Sequence, residues 1–285
     1  MGRGNLGRSL ARAFRRAGHR VLLTPARHGV PALARALRSR PRAVVFLTVP
    51  DGAIESLAGE IANSDGRPRA AAFAHCSGAL GLGVLDALAR GHAVGSFHPL
   101  QSFPEPRPAE AFRGSLVAID ATTDALRRRL QRLARDVGAK PRDVREAERV
   151  VYHAAAVFAS NYLVALAGEA VELLQSIGWS EREAVAGLVP LMQGALAEVA
   201  RRGPTAALTG PIRRGDVETV TRHLEALAGL DSRARGGGAR KADVYRMLAR
   251  TALEIAKKAG LDAAAAERVD RALTRHVAAT RRRRR

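Results

Sequence analysis

Gly2-Arg3-Gly4-Asn5-Leu6-Gly7 opens the chain and runs without interruption into Arg8–Ala17 (RSLARAFRRA), a stretch with helical apolar spacing. Glycines at these three places permit a tight turn and a close approach of backbone to a ligand. A helix starting there presents free amide N–H groups and the positive end of its dipole to the turn, which suits the pyrophosphate of a dinucleotide. Alone, the motif is a weak signal. Here it opens a helix, and an extended apolar run, Arg20–Thr24 (RVLLT), follows, as a strand–helix–strand unit requires. A strand is also expected ahead of the motif, yet only Met1 precedes it. Either the reading frame begins upstream and adds about six to ten residues rich in Val, Ile and Gly, or the sheet lacks its central strand and exposes an apolar slot.

Outward from this point, Ala43–Pro50, Ala70–Ala74, His92–Phe97 and Ser115–Asp120 read as strands, with a last one near Pro141–Val144. Helical patterns at Gly29–Arg38, Ala53–Ala62, Gly83–Ala89 and Thr123–Val137 lie between them. Apolar strands alternating with helices predict an α/β, Rossmann-like parallel sheet covered on both faces. After about Arg145 the strand signals stop. Glu146–Ile177 reads as one long helix, Ser180 with Glu183 as a capping box, Gly203–Gly215 as a punctuated loop, Asp216 as a helix cap, Gly236–Gly238 as a flexible break and the rest as helices. The expected organisation is a nucleotide-binding domain at 1–145, an all-α substrate and dimerisation domain at 146–280 and a basic tail at 281–285, with substrate bound between the two domains.

Composition narrows the function. Hydrophobic residues make up 47% of 285 and aromatics only 4%, so Ala, Leu and Val must fill the cores. The net charge of +20 comes almost wholly from arginine, the lysines being Lys140, Lys241, Lys257 and Lys258. The arginines scatter along helix faces without interleaved aromatics, so no specific nucleic-acid surface is expected, and Arg281–Arg285 reads as a disordered tail. The single cysteine, Cys76, excludes an internal disulfide. No apolar run reaches the roughly 18 residues of a membrane span, and no secretory leader is visible; a soluble, cytoplasmic protein is expected.

Thr24-Pro25-Ala26-Arg27-His28 ends the second predicted strand without the acidic residue that would hold a ribose 2′-hydroxyl. A hydroxyl at Thr24 and a cation at Arg27 suit a 2′-phosphate, so NADP is expected over NAD. Nucleotide contacts are expected from Gly2, Gly4, Asn5, Leu6, Gly7, Thr24 and Arg27. His98 directly follows a strand, where open α/β sheets bind ligands, and its imidazole suits proton exchange with a hydroxyl or imine. His75 and Ser77 also lie just past a strand end. Cys76 between them reads as a small buried filler. His153 and Ser160 share a face of the long helix, with Asn161 flanking. His75, His98 and His153 have no carboxylate or cysteine at ligand-like spacing, so no metal is expected.

The glycine turn, Val49-Pro50-Asp51, His75-Cys76-Ser77-Gly78, Gly95-Ser96-Phe97-His98-Pro99-Leu100, Tyr152-His153-Ala154-Ala155-Ala156 and Thr209-Gly210-Pro211-Ile212 together resemble one family. It is the Rossmann-like oxidoreductases with a C-terminal helical domain of unknown function, in the 6-phosphogluconate dehydrogenase-like superfamily, near prephenate dehydrogenases and pyrroline-5-carboxylate reductases. The resemblance implies an NAD(P)-dependent oxidoreductase acting on a small carbonyl, hydroxyl or imine compound. It assigns His98, Ser77 and His153 catalytic roles, adds Val49 and Pro50 to the cofactor contacts, and adds His75, Ser160, Asn161, Thr209 and Gly210 as substrate contacts. Two departures count against prephenate itself: the lysine that follows the serine in prephenate dehydrogenases is absent after Ser77, and His75 stands where they have an aspartate. The missing lysine leaves a catalytically inactive nucleotide-binding regulator as the alternative. A homodimer through the long helix is expected, because its apolar stripe is hard to cover within the helical domain.

Overall fold

Alternating apolar runs and amphipathic helices fold as an α/β layer structure in the computed structural model, which describes residues 1–27, 29–64, 71–233 and 240–275. The expectations for His28, Gly236–Gly238 and Arg281–Arg285 fall outside the described residues. Two compact units form, Met1–Leu163 and Val164–Arg285.

In the first unit, β1 (Val44–Leu47), β2 (Ala72–His75), β3 (Val94–Pro99), β4 (Leu116–Ala121) and β5 (Lys140–Asp143) lie side by side in sequence order. β1, β2 and β3 are parallel, and β4 runs antiparallel to β3. β4 and β5 are again parallel, so the sheet is the expected parallel one apart from the single β3–β4 pairing. A parallel return needs a long crossover, usually a helix. The chain after Pro99 carries Pro104, Pro106 and Pro108 and only a short 3-10 turn at Ala109–Phe112, so it turns back at the same edge.

Helices cover both faces. α1 (Asn5–Arg16) and α5 (Asp124–Asp136) bring Leu10, Phe14, Leu126 and Leu130 onto Phe97, Val117 and Ile119. On the other face α2 (Val30–Arg38), α3 (Ile54–Ala62) and α4 (Asp86–Ala89) bring Leu33, Leu37, Ile54, Ile61 and Leu88 onto Val45, Leu47 and Phe73.

The sequence expectation differs most at Arg20–Thr24. No strand forms there, and Leu22 is 56% exposed. The reason is a missing neighbour: between this run and β1 lies the expected apolar slot, a cavity of about 280 Å³ lined by Leu10, Phe14, Val21, Leu23, Val44 and Phe46 among others.

The stretch read as one long helix is broken. A 3-10 turn (Glu146–Glu148) leads into α6 (Arg149–Ala159), and Ser160, at φ −122° and ψ −71°, separates it from α7 (Asn161–Gln175). Without a glycine or proline at the break, no local signal marks it in the sequence.

In the second unit, α8 (Glu181–Ala207) starts on the predicted Ser180–Glu183 capping box and kinks at Gly203, whose φ is +75°. α9 (Pro211–Arg214), α10 (Val217–Asp231), α11 (Lys241–Lys258) and α12 (Ala263–Thr274) enclose Val220, Leu224, Leu253, Val269 and Leu273. α7 contributes no buried residue and α8 only Ala184. By length and composition alone, Glu146–Gln175 and Glu181–Arg214 are apolar enough to cross a bilayer once isolated charges are allowed, which the reading of uninterrupted apolar runs did not register.

Candidate active site

The carboxyl ends of β1, β2 and β3 share one edge of the sheet, and the chain puts its distinctive side chains there. After β1, Thr48 donates its hydroxyl to the carbonyls of Met1 (3.0 Å) and Gly2 (3.1 Å), pinning the glycine turn against the strand end. The turn is tight. Gly2 has φ +112°, a β-carbon on it would collide with Thr48, and one on Gly7 would collide with the carbonyl of Gly2. Gly4 caps α1 without any side-chain acceptor, so the first-turn amides, those of Asn5, Leu6 and Gly7, face the turn. The Asn5 side chain instead donates to the carbonyls of Phe103 (3.1 Å) and Pro104 (2.8 Å), tying the following loop to the helix start.

Beside the turn, Thr24, Pro25, Arg3, Arg35 and Ser39 line a depression of about 450 Å³. Arg27 is exposed and does not line it. Val49 is half-buried, and Pro50 is exposed at the start of the 3-10 turn Asp51–Ala53.

After β2, His75 and Ser77 are buried. The Ser77 hydroxyl donates to the Asp51 carboxylate (2.7 Å) and accepts from the amides of Ala79 (3.2 Å) and Leu80 (3.1 Å). It is a turn brace between two strand ends, fully engaged. The Ser77 amide donates to His75 Nδ1 at 3.2 Å, and the His75 ring, with no exposed surface, lies behind that turn. Burial, reinforced by the charge of Arg149, lowers His75 to about 4, so it is neutral. Cys76 is buried, and burial pushes its thiol up to about 12, so it is inert packing.

His98 is half-buried in β3, and its Nδ1 hydrogen-bonds the Tyr152 hydroxyl at 2.8 Å. Burial first, then the neighbouring His153 and Arg149, lower His98 to about 4, while burial raises the Tyr152 phenol to about 12. Both partners are therefore neutral near pH 7. His153 stands edge-on to His98, ring centroids 6.1 Å apart, with a buried Nδ1 that has no hydrogen-bond partner. The two imidazoles meet over Gly78: a β-carbon there would lie 2.7 Å from His153 Nδ1 and 2.8 Å from His98 Nε2. Glycine is what allows the rings to converge.

Sequence reasoning missed three members of this cluster: Tyr152, Asp51 and Arg149. Arg149 is wholly buried, its guanidinium bonded to the Ser96 hydroxyl and, at 3.4 Å, to the Ser77 carbonyl. Its signal was present in the helical spacing. Arg149, Tyr152 and His153 stand at i, i+3 and i+4, so they share a face. Ser160 and Asn161 fall at the break between α6 and α7 and join no contact of the cluster. Thr209 and Gly210 belong to the second unit, where Gly210, at φ +91°, opens α9. Among the described residues, no group of three or more His, Cys, Asp or Glu side chains is placed to hold a metal ion.

A Rossmann-like domain model matches residues 1–99, and a model described as a domain of unknown function (DUF2520) matches residues 115–252. No curated protein sequence matches the chain. Among solved structures, Bacteroides fragilis BF3122, named for an inferred NADP oxidoreductase activity, is 23% identical over 89% of this chain and 96% of its own, with a TM-score of 0.68. Protein TM1727 from Thermotoga maritima is 27% identical over 76% of this chain and 79% of its own, with a TM-score of 0.59. The Plasmodium falciparum pyrroline carboxylate reductase, solved with NADP bound, is 12% identical over 96% of this chain and 98% of its own, with a TM-score of 0.53. The likenesses to the Bacteroides and Plasmodium proteins are ones of fold.

Proposed function

We propose that this chain, a Rossmann-like domain running into a DUF2520 domain, is an NADP-dependent oxidoreductase that reduces a small carbonyl or imine compound or oxidises the corresponding alcohol or amine. One observation carries the reading: an uncapped helix start behind a glycine turn and a convergent His98–Tyr152–His153 cluster occupy the same carboxyl edge of one sheet. Ligands of open α/β sheets bind at that edge.

The glycine turn fits a dinucleotide. Its backbone leaves no room for side chains at Gly2 and Gly7, and the α1 amides have no side-chain partner, which is the donor set a pyrophosphate requires. Thr24, Arg3 and Arg35 would surround a 2′-phosphate at the neighbouring depression. When bound, the nicotinamide cofactor supplies or takes up a hydride.

The remaining work falls to the chain's own residues. Neutral His98 holds one ring proton. With the phenol of Tyr152 donating to Nδ1, that proton sits on Nε2, beside Gly78, ready to hydrogen-bond a substrate oxygen or nitrogen and stabilise charge developing there. Tyr152 fixes the ring's orientation and tautomer. His153 supplies a second polar edge to the same substrate atom or its neighbour. Arg149, Ser77 and Asp51 hold the strand ends in place behind them. The reading sets the protein in the cytoplasm, with Cys76 a free thiol.

A homodimer completes the reading. Val164, Ile177, Leu191, Leu196 and Val199 are exposed along α7, its C-terminal end and α8, an apolar surface that a second copy would cover. Light scattering at micromolar concentration is expected to give twice the chain mass. A monomer, or a protein recovered only with membranes, would overturn the dimer without touching the chemistry.

The activity test is NADPH oxidation against a library of small carbonyl and imine compounds, with His98→Ala alongside. Turnover is expected to fall about 100-fold or more in the variant while NADPH affinity stays within about threefold. NADPH binding without turnover of any compound would leave a nucleotide-binding regulator instead.

A further inference from the structure

Two imidazole nitrogens meet beside Gly78, and the residues behind them differ in what they let each nitrogen do. His98 presents Nε2 there, while its Nδ1 is taken by the Tyr152 hydroxyl at 2.8 Å. The phenol is the stronger donor of that pair, so it donates, and the His98 proton stays on Nε2. His98 is a fixed donor. His153 presents Nδ1 to the same point, and that atom is buried without a partner, so no hydrogen bond commits it to holding or lacking a proton. Behind both rings Arg149 is wholly buried. Its guanidinium bonds only neutral groups, the Ser96 hydroxyl and the Ser77 carbonyl, and its Nε has no partner. Arginine stays charged in proteins, so a positive charge is buried here with no carboxylate bonded to it among the described residues. At the His98 ring the influence of Arg149 outweighs that of Asp51.

Resting on the oxidoreductase reading above, we propose that this edge is built for an oxygen centre, a carbonyl and its alcohol, and not for an imine and its amine, with His153 exchanging the substrate's proton. The substrate atom beside Gly78 accepts from His98 Nε2–H, so it needs a lone pair to offer. A carbonyl or hydroxyl oxygen has one. An ammonium, the form of an alkyl amine at neutral pH, has none. An imine takes up hydride as its iminium, which has none either. Charge selects in the same sense. A carbonyl that receives hydride becomes alkoxide-like, and the buried Arg149 charge stabilises negative charge at that place and opposes a cation. In the oxidising direction the carbinol C–H pair passes as hydride to the oxidised nicotinamide. The O–H bond breaks, its electron pair becomes the second C–O bond, and its proton passes to His153 Nδ1, which releases it to solvent. Reduction is the reverse, with the proton coming from His153 Nδ1. One oxygen thus accepts from His98 and exchanges its proton with His153.

The first test needs no turnover. Ring ¹⁵N NMR of the unsubstituted chain is expected to place the His98 proton on Nε2; a proton on Nδ1 would overturn the proposal. The second compares ring ketones with ring imines of the same size, cyclopentanone against 1-pyrroline and cyclohexanone against 1-piperideine, in NADPH oxidation. The ketone is expected to lead by about 100-fold or more in kcat/KM. An imine turned over as well as its ketone, or better, overturns the choice of oxygen and leaves the oxidoreductase reading standing. NADPH binding with no turnover of either class defeats both together. His153→Asn keeps a hydrogen-bonding group that cannot carry a proton. It is expected to lose about 100-fold in kcat on the better ketone with KM within about threefold; an unchanged kcat would overturn the proton transfer through His153.

Discussion

Lowering the pH from 7 to 5 is expected to cost the fold about 4 kcal/mol through two imidazoles alone. His75 and His98 are each held at about 4, chiefly by burial and also by the charge of Arg149. In the unfolded chain both titrate near 6.5. Between these values the unfolded chain binds protons that the folded chain refuses, so stability rises with pH through that window and is lost on acidification. The slope approaches about 1.4 kcal/mol per pH unit for each ring, and over this range the pair comes to about 4 kcal/mol, an upper figure because the rings titrate as a coupled pair. Below about pH 4 the rings protonate in the folded state and their slope flattens. Met1's buried amino group, lowered from 8.0 to about 6, has the same sign above pH 6, and N-terminal acetylation removes its share. Glu148, Glu172, Glu183, Glu198 and Asp216, all lowered by hydrogen bonds, withdraw stability only as pH falls through the carboxylate range. The assay is guanidinium unfolding of the acetylated chain at pH 7, 6 and 5, with NMR titration of the His75 and His98 ring protons. Stability that is flat over this range, or rings that titrate near 6.5, would refute the buried, neutral cluster.

Gly78→Ala places a methyl group within 2.8 Å of ring atoms of both His98 and His153; it is expected to cost about 1–3 kcal/mol of stability and, by displacing the imidazoles, about 100-fold in turnover, with NADPH affinity unchanged in fluorescence titration. Arg149→Gln removes a positive charge from beside His75 and His98 and leaves the Ser96 hydroxyl short of a donor; the His75 and His98 rings are expected to titrate higher by NMR, with about 1–3 kcal/mol lost in urea unfolding. Arg35→Glu is expected to weaken NADPH about tenfold more than NADH by calorimetry, and exposed Arg27→Glu to affect the two cofactors nearly alike; the opposite ranking would return the 2′-phosphate to Arg27.

The glycine turn, the βα alternation, the Ser180 cap and the strand carrying His98 were all legible in the sequence, because each rests on local rules: backbone sterics, a hydrophobic period or a capping hydrogen bond. The reversal of β4 depended on how a proline-rich connection packs, and the break at Ser160 carries no residue signal. Arg149, Tyr152 and Asp51 escaped because their roles are nonlocal. A buried arginine reads like the exposed ones in a chain so rich in arginine, and only the fold brings it to Ser96 and Ser77, residues from two different strand ends. Likewise, sequence places Ser77 at a strand end, but only the tertiary structure commits its hydroxyl to Asp51 and two backbone amides. Sequence determined which residues reach the carboxyl edge of the sheet, because strand and helix periods are set within a few neighbours. Tertiary structure decided which of them converge at that edge and which brace it, because that turns on burial and on hydrogen bonds between segments far apart in the chain.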